Sequence, residues 1–183
     1  MTFNKLTDHI FTVEDFFTRQ ECLEAIVQSE GLGYELAKIN TASGSRVRTD
    51  VRNNSRAFYK SDELAERLWL KLQPFVPAQV GSSHPIGLNE LFRFYRYQRG
   101  HVFKGHYDES YVRNEHEASY YTFMVYLNDN FQGGDTTFRG LRVVPRQGMA
   151  LIFLHSLFHE GSEVTQGVKY VLRSDVMYRT DAA

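Results

Sequence analysis

The feature that most constrains the fold is a close succession of short apolar and aromatic runs that begins near residue 90. Glycines, asparagines and one proline separate these runs, which are rich in the tyrosines and phenylalanines that favour strands. They predict β-strands at residues 91–97, 102–107, 119–127, 136–138, 141–144, 149–154 and 169–178. Many short strands at close spacing favour a sandwich or a barrel over alternating βαβ units.

Two helices are predicted in the first half of the chain. Thr18 and Glu21 form a capping-box pattern ahead of the first helix. Ser61 marks the start of the second helix and Pro74 its end. That helix has an apolar stripe at i, i+4 and i+8, formed by Leu64, Leu68 and Leu72.

Length and composition limit the class of protein. The chain has 183 residues and a net charge of −1, so we expect one domain, with neither a nucleic acid nor an anionic membrane as its main partner. Cys22 is the one cysteine, no apolar run approaches membrane-spanning length, and no secretion signal is seen, so we expect a cytoplasmic protein. Residues 1–88 are expected to form a helical support and residues 89–183 the β core. The oligomeric state is not predicted.

Two predicted strands have faces of different character. In strand 119–127 one face is apolar or aromatic, and the other carries Tyr120, Thr122, Met124 and Tyr126. In strand 169–178 one face carries Tyr170, Leu172, Val176 and Tyr178, and the other carries Lys169, Val171, Arg173 and Asp175. A polar face of this kind lies either in solvent or, in a barrel with an internal ligand, along the binding pocket.

Four residues suggest a metal and co-substrate site. His106 and Asp108 are two positions apart on one strand face, and His159 follows a later apolar strand. Two histidines and one carboxylate can occupy one face of an octahedral ion and leave positions open, which is typical of non-haem Fe(II) oxygenases. Lys169 follows His159 by ten residues and could hold the far end of a dicarboxylate by charge-assisted hydrogen bonds.

The stretch from residue 92 to residue 178 resembles the prolyl 4-hydroxylase branch of the Fe(II)- and 2-oxoglutarate-dependent oxygenases. The matching residues are Tyr97, Gly100, His106, Tyr107, Asp108, Thr122, Tyr126, Leu127, Asn128, Gly133, Gly134, Thr136, Phe138, Pro145, Gly148, His159, Val164, Gly167 and Lys169. They cover about half of the chain and follow the family's order. Residues 48–68 are loosely similar to the helical collar that precedes the barrel in this family.

The resemblance implies a mainly β protein, a double-stranded β-helix of the jelly-roll or cupin-like type with N-terminal α-helices packed against it. It implies that His106, Asp108 and His159 bind Fe(II). It also implies that Lys169 binds the distal carboxylate of 2-oxoglutarate.

The same resemblance places three more residues at the co-substrate. Tyr126 would give a hydroxyl to the same carboxylate, Thr122 would share its strand face, and Tyr97 would wall the pocket. The enzyme would use O₂ and 2-oxoglutarate, release succinate and CO₂, and hydroxylate an unactivated C–H bond, with ascorbate as a candidate reductant. The substrate would be a protein side chain, an amino acid or a small metabolite.

Arg173 has two interpretations. Its guanidinium suits the near carboxylate of 2-oxoglutarate or a carboxylate on the substrate, and the alternative is an ion pair with Asp175. Collagen-type members of the family do not require an arginine here, which argues against peptidyl proline as the substrate. Residues 46–56 and 109–118 are expected to border the substrate entrance, and arginines at 46, 48, 52 and 56 crowd the first of these segments.

Other functions stay open on the sequence alone. A cupin-like metalloenzyme that uses no 2-oxoglutarate is one, although Lys169 argues against it. A non-catalytic jelly-roll binding module is another, although the intact metal-site residues argue against it. His155 and His159 have the helical spacing of a zinc pair, but no glutamate adjoins His155 and the segment predicts a strand followed by a turn.

Overall fold

The computed structural model describes residues 1–37, 39–41, 44–46 and 51–180, and for 39–41 and 44–46 it describes the backbone alone. The described chain is mainly β. Its helices are α1 (Arg19–Leu32), α2 (Asp62–Leu72) and a short 3-10 turn (Gln73–Phe75). Its strands are β1 (Thr2–Thr7), β2 (Ile10–Glu14), β3 (Glu35–Leu36), β4 (Ile39–Thr41), β5 (Gly44–Arg46), β6 (Ser55–Lys60), β7 (Ser83–Leu88), β8 (Leu91–Tyr97), β9 (Phe103–His106), β10 (Glu117–Tyr126), β11 (Gln132–Gly133), β12 (Thr136–Phe138), β13 (Leu141–Val143), β14 (Ala150–Leu154), β15 (His159–Gly161), β16 (Val164–Gln166) and β17 (Lys169–Thr180).

Two antiparallel sheets organise the molecule. The large sheet has the order β1-β2-β14-β10-β17-β8-β6-β3, with β7 also paired to β17. The small sheet has the order β13-β12-β15-β9. Short two-stranded pairings, β11 with β16 and β4 with β5, complete the pattern. All seven strands predicted from the sequence are present, four in the large sheet and three in the small sheet.

The large sheet separates two apolar cores. Its outer face packs against both helices, because Cys22 of α1 and Leu68 and Leu72 of α2 belong to one cluster with Phe94 and Phe123 of the sheet. The second cluster combines inner-face residues of the large sheet with residues of the small sheet, and its members include Tyr95, Tyr126, Val143, Phe153 and Val171. The second core therefore fills the space between the two sheets.

The strand faces read from the sequence are confirmed, with one exception. Phe123 and Val125 lie in the outer core, and Tyr126 lies in the inner core. Tyr120 packs instead against the outer core. The β10–β17 register shifts between Ser119 and Tyr121. A β-bulge at this point adds one residue to β10. Tyr120 therefore points to the opposite side of the sheet from the side that strict alternation predicts.

Both predicted helix starts are confirmed. The Thr18 hydroxyl accepts from the Glu21 N–H at 3.1 Å, and the Glu21 carboxylate accepts from the Thr18 N–H at 2.6 Å. The Ser61 hydroxyl accepts from the Leu64 N–H at 3.1 Å. No helix among the described residues is long and apolar enough to cross a bilayer.

A helical support describes residues 1–88 only in part, since β1 to β7 also lie there and five of these strands join the large sheet. Strand β1 reads Thr-Phe-Asn-Lys-Leu-Thr and is almost wholly exposed. It pairs with β2, whose residues Ile10 to Val13 are buried against β14. β1 forms a hairpin with β2, whereas β2 pairs with β14 far along the chain, and local sequence patterns do not record such a distant pairing.

Candidate active site

The pairing of two strands of the small sheet brings the predicted metal-site residues together. His106 ends β9, His159 begins β15, and the two are direct partners in the ladder. Asp108 follows β9, and its backbone N–H donates to the carbonyl of His155 at 3.2 Å. One ligand atom of each of His106, Asp108 and His159 lies within 4.8 Å of the others. Their arrangement could hold a metal ion.

Backbone contacts orient both imidazoles toward Asp108. Nδ1 of His106 lies 2.8 Å from the carbonyl of Lys104, and Nδ1 of His159 lies 2.9 Å from the carbonyl of Leu157. A carbonyl only accepts, so each Nδ1 carries the proton and each Nε2 presents a lone pair. Both Nε2 atoms lie 3.6 Å from the Asp108 carboxylate. Burial lowers the pKa of His159 to about 4, which keeps its ring neutral at neutral pH.

The Asp108 carboxylate is buried and held by two donors. The Thr122 hydroxyl donates to Oδ2 at 2.5 Å, and Nη2 of Arg173 lies 3.0 Å from the same oxygen. Burial alone would raise the pKa of this carboxyl, but the Arg173 charge and the hydrogen bonds outweigh it and hold the pKa well below its ordinary value. Asp108 is therefore an anion at neutral pH.

Lys169 lines the inner pocket, which His106, Asp108 and His159 also line. Lys169 is 2% exposed, and its Nζ donates to the carbonyl of Gly134 at 2.5 Å. The rings of Tyr97 and Tyr126 lie 5.3 and 5.2 Å from Nζ. No ion pair between described residues includes Lys169, and burial lowers its pKa to about 7. A buried amine without a counter-ion is unusual and suggests an anionic ligand.

The other predicted co-substrate residues differ in how they reach this pocket. Tyr97 and Thr122 line it. Tyr126 is fully buried, and its hydroxyl is 2.7 Å from the hydroxyl of Thr136, which does line the pocket. Thr136 thus lines the pocket as the hydrogen-bond partner of Tyr126, and direct contact of Tyr126 with a ligand stays a prediction.

Arg173 makes the ion pair with Asp175 that the sequence offered as one interpretation, and its contact with a ligand carboxylate stays a prediction. It lies toward the metal-site cluster, paired with Asp108, and its Nη2 is also 3.3 Å from the Asp175 carboxylate. The Asp175 carboxylate has two more neighbours: Nη1 of Arg93 lies 3.0 Å from it, and Nε2 of His155 lies 3.6 Å from it. His155 therefore faces Asp175, and among the described residues it is not part of the metal-site cluster, which argues against a zinc pair with His159.

The inner pocket is small and opens into a larger outer cleft. Its cavity measures about 40 Å³, room for about three waters. The outer cleft measures about 410 Å³ and shares Tyr95, Phe103, His106, Asp108 and Arg173 with the inner pocket.

Parts of both segments that were expected at the substrate entrance line the outer cleft. Arg52 and Arg56 from the first segment, and the adjoining residues 109, 110 and 111 of the second, line the outer cleft. Arg48 and the side chain of Arg46 lie outside the described residues. The sequence patterns gave no role to Arg93, placed Arg52 only in the segment expected at the entrance, and placed Thr136 only among the residues that match the family. Arg93 shares its strand face with Tyr95 and Tyr97, which could have revealed it, whereas no local pattern marks Arg52.

Comparison with known proteins agrees with this geometry. Residues 92–174 match the sequence profile of the 2OG-Fe(II) oxygenase superfamily. Prolyl 4-hydroxylase 1 of Arabidopsis thaliana is 25% identical over 190 residues, which cover 88% of this chain and 66% of that protein. The chain thus spans just under two thirds of the length of this relative.

Solved structures share the fold. The viral collagen prolyl hydroxylase of Paramecium Bursaria Chlorella virus-1, in its complex with 2OG, superposes with a TM-score of 0.64 at 18% identity, covering 94% of this chain and 97% of its own. The Trichoplax adhaerens prolyl hydroxylase, in complex with a hypoxia inducible factor peptide fragment, gives 0.71 at 17% identity, covering 95% of this chain and 84% of its own.

The residues present also fit the groups that such proteins hold. Two imidazoles and one carboxylate form a donor set suited to Fe(II). The buried amine of Lys169 suits a carboxylate. Over residues 92–174 the chain is similar in sequence to the 2OG-Fe(II) oxygenase superfamily, and over most of its length it shares the fold of solved prolyl hydroxylases.

Proposed function

We propose that this chain is a 2-oxoglutarate-dependent Fe(II) dioxygenase that hydroxylates an unactivated C–H bond. One observation carries the proposal: a single pocket is lined by a cluster of two histidines and a carboxylate and by a buried lysine that forms no ion pair with any described residue. A metal-binding protein that uses no 2-oxoglutarate has no need of that lysine.

The metal-site residues divide the work of binding and orientation. Nε2 of His106, Nε2 of His159 and the Asp108 carboxylate hold Fe(II), and the Nδ1 contacts with backbone carbonyls fix the two rings. The Thr122 hydroxyl orients the carboxylate. When bound, iron supplies with 2-oxoglutarate and O₂ the oxidative decarboxylation to succinate and CO₂ and the hydroxylation of the substrate.

Lys169 anchors the distal carboxylate of 2-oxoglutarate. The rings of Tyr97 and Tyr126 exclude water around its ammonium group, and the Thr136 hydroxyl, held by Tyr126, is a second donor to the same carboxylate. Arg173 positions Asp108 and lies close enough to the cluster to meet the near carboxylate. Ascorbate keeps the iron reduced in this proposal, and the buried free Cys22 is compatible with a cytoplasmic setting.

The fold that this function implies is a double-stranded β-helix. Its two walls are the inner face of the large sheet and the small sheet, and α1 and α2 pack on the outer face of the large sheet. The substrate is a protein side chain, an amino acid or a small metabolite that enters through the outer cleft. The relatives are named as prolyl hydroxylases, so a prolyl ring is one candidate.

The test is succinate formation from 2-oxoglutarate with Fe(II), ascorbate and O₂. We expect slow succinate release without added substrate, no release without O₂, and loss of release in the alanine variants of His106, Asp108 and His159. His9→Ala is the matched control, because His9 is an exposed histidine in the turn between β1 and β2. Absence of succinate from iron-loaded protein across a broad substrate panel would favour a cupin-like metalloenzyme or a binding module instead.

A further inference from the structure

Arg52 is a buried cation in the wall of the outer cleft. It is 6% exposed and lines the cleft together with His106 and Asp108. Its Nε donates to Oδ1 of Asn54 at 2.6 Å, whereas its Nη2 is buried and has no hydrogen-bond partner among the described residues. A buried guanidinium with an unused donor is costly unless a ligand completes it.

The guanidinium is held in place next to the metal-site cluster. Its Cζ lies 4.1 Å from the ring centre of Phe103 and 4.5 Å from that of Tyr95. The Phe103 ring in turn stacks on the His106 ring, with 3.5 Å between centres. The backbone of Arg52 forms a β-bridge with Phe103, so the strand that carries His106 also positions Arg52. Arg52 is therefore preorganised for a ligand that also reaches the cluster.

The other arginines of the cleft have carboxylate partners. Four arginines and three acids line it: Arg52, Arg56, Arg93, Arg173, Asp108, Glu109 and Asp175. Arg93 and Arg173 pair with Asp175, and Arg56 pairs with Glu35 at 3.4 Å. For Arg52 the described residues supply no carboxylate.

The electrostatic field in the cleft is positive, as the Tyr95 hydroxyl shows. Burial raises the pKa of Tyr95, but the charges of Arg173, Arg52 and Arg93 outweigh it and lower the pKa to about 8. A site that stabilises a phenolate also stabilises a bound carboxylate. This field and the unused donor of Arg52 favour the same kind of ligand.

We propose that Arg52 receives a carboxylate of the substrate, so that the enzyme hydroxylates a carbon close to a free carboxylate group. This rests on the proposed function and narrows its substrate class. A planar guanidinium matches a carboxylate with two parallel hydrogen bonds. The carboxylate belongs either to a small acid, such as a free amino acid, or to the C-terminal residue of a peptide. A proline inside a peptide chain lacks it.

Calorimetric binding without O₂ tests this, with protein loaded with Fe(II) and 2-oxoglutarate. The probes are the standard L-amino acids, each compared with its amide, and short peptides ending in the same residues as free acids or as amides. We expect at least one acid to bind roughly thirty-fold or more tightly than its amide. Arg52→Gln should remove that preference, and Arg67→Gln, on the exposed side of α2, should retain it. Comparing the affinities of free amino acids and of peptides with a free C-terminus distinguishes the two sources of the carboxylate.

Three outcomes overturn the proposal: no acid binds, acid and amide bind equally, or Arg52→Gln keeps the acid preference. Circular dichroism shows whether Arg52→Gln folds. If it does not, the proposal is still tested by the acid–amide comparison in the wild type and in Arg52→Lys, which keeps the positive charge but lacks the planar guanidinium. Binding of 2-oxoglutarate is measured separately in the same experiment. Its failure would reject the proposed function, whereas equal binding of acid and amide would reject only the role of Arg52.

Discussion

Replacing Lys169 with methionine should stabilise the ligand-free protein while it removes 2-oxoglutarate binding. The lysine is buried and forms no ion pair within the part of the chain that the structure describes, and burial lowers its pKa from 10.5 to about 7. At 1.36 kcal/mol per pKa unit, that fall corresponds to about 5 kcal/mol of lost stability at low pH. Lys169→Met keeps the length of the side chain but leaves the Gly134 carbonyl unpaired, which costs about 1–3 kcal/mol. The net gain should be about 2–4 kcal/mol.

This gain should depend on pH in a defined direction. Below pH 7 Lys169 is charged in the folded and unfolded states, so the full penalty applies. Between pH 7 and pH 10.5 the folded state has already lost the proton that the unfolded state keeps, so wild-type stability rises with pH. The advantage of Lys169→Met should therefore be about 2–3 kcal/mol smaller at pH 9 than at pH 6.

Urea unfolding of metal-free protein at both pH values measures the effect. Lys60→Met, at the exposed end of β6, is the control and should change the free energy of unfolding by less than about 0.5 kcal/mol. Affinity for 2-oxoglutarate should fall roughly thirty-fold or more in Lys169→Met. A variant less stable than the wild type at pH 6, or one that binds 2-oxoglutarate normally, would refute the reasoning.

Three further predictions concern the same pocket. Since burial lowers the pKa of Lys169 to about 7 and a carboxylate would restore its charge, 2-oxoglutarate binding at pH 8 should take up close to one proton; calorimetry in buffers of different ionisation enthalpy measures this, and an enthalpy independent of buffer would contradict it. Thr122→Val removes the hydroxyl that donates to Asp108 and should weaken Fe(II) affinity roughly 10–100-fold, with the exposed Thr165→Val as control; unchanged affinity would argue against this orienting role. Gly134→Ala places a Cβ 3.2 Å from Cδ of Lys169 at φ +68°, whereas Gly140→Ala has φ +76° and open space. Both should lose about 1–2 kcal/mol of stability, and only Gly134→Ala should also weaken 2-oxoglutarate binding.

Local patterns and a few spacings predicted much of the site. Strand alternation placed Lys169, Arg173 and Asp175 on one face, and the structure has them facing the inner pocket and the outer cleft. The spacing of His106 and Asp108, with His159 downstream, identified side chains that the β9–β15 pairing brings together. Short-range periodicity sufficed because each of these residues lies on, or next to, a regular strand.

Residues that depend on tertiary contacts could not be predicted. Arg52 acquires its place from a bridge to Phe103, on a strand far along the sequence, and nothing near Arg52 records that partner. Thr136 reaches the pocket because β12 pairs with β15, and its partner Tyr126 lies on the other sheet. For Arg173, the sequence offered a ligand carboxylate or Asp175 as the partner, whereas packing pairs the guanidinium with Asp175 and also with Asp108, which local patterns did not indicate.

The most direct test of the central claim is an optical titration without O₂. Fe(II) and 2-oxoglutarate added to the wild-type protein should produce a visible charge-transfer absorption that requires both components and saturates at one equivalent of each. His106→Ala should abolish the absorption, and Lys169→Met should shift its half-saturation to roughly thirty-fold higher 2-oxoglutarate. An absorption that never develops in iron-loaded wild-type protein, or one that persists unchanged in His106→Ala, would contradict the account.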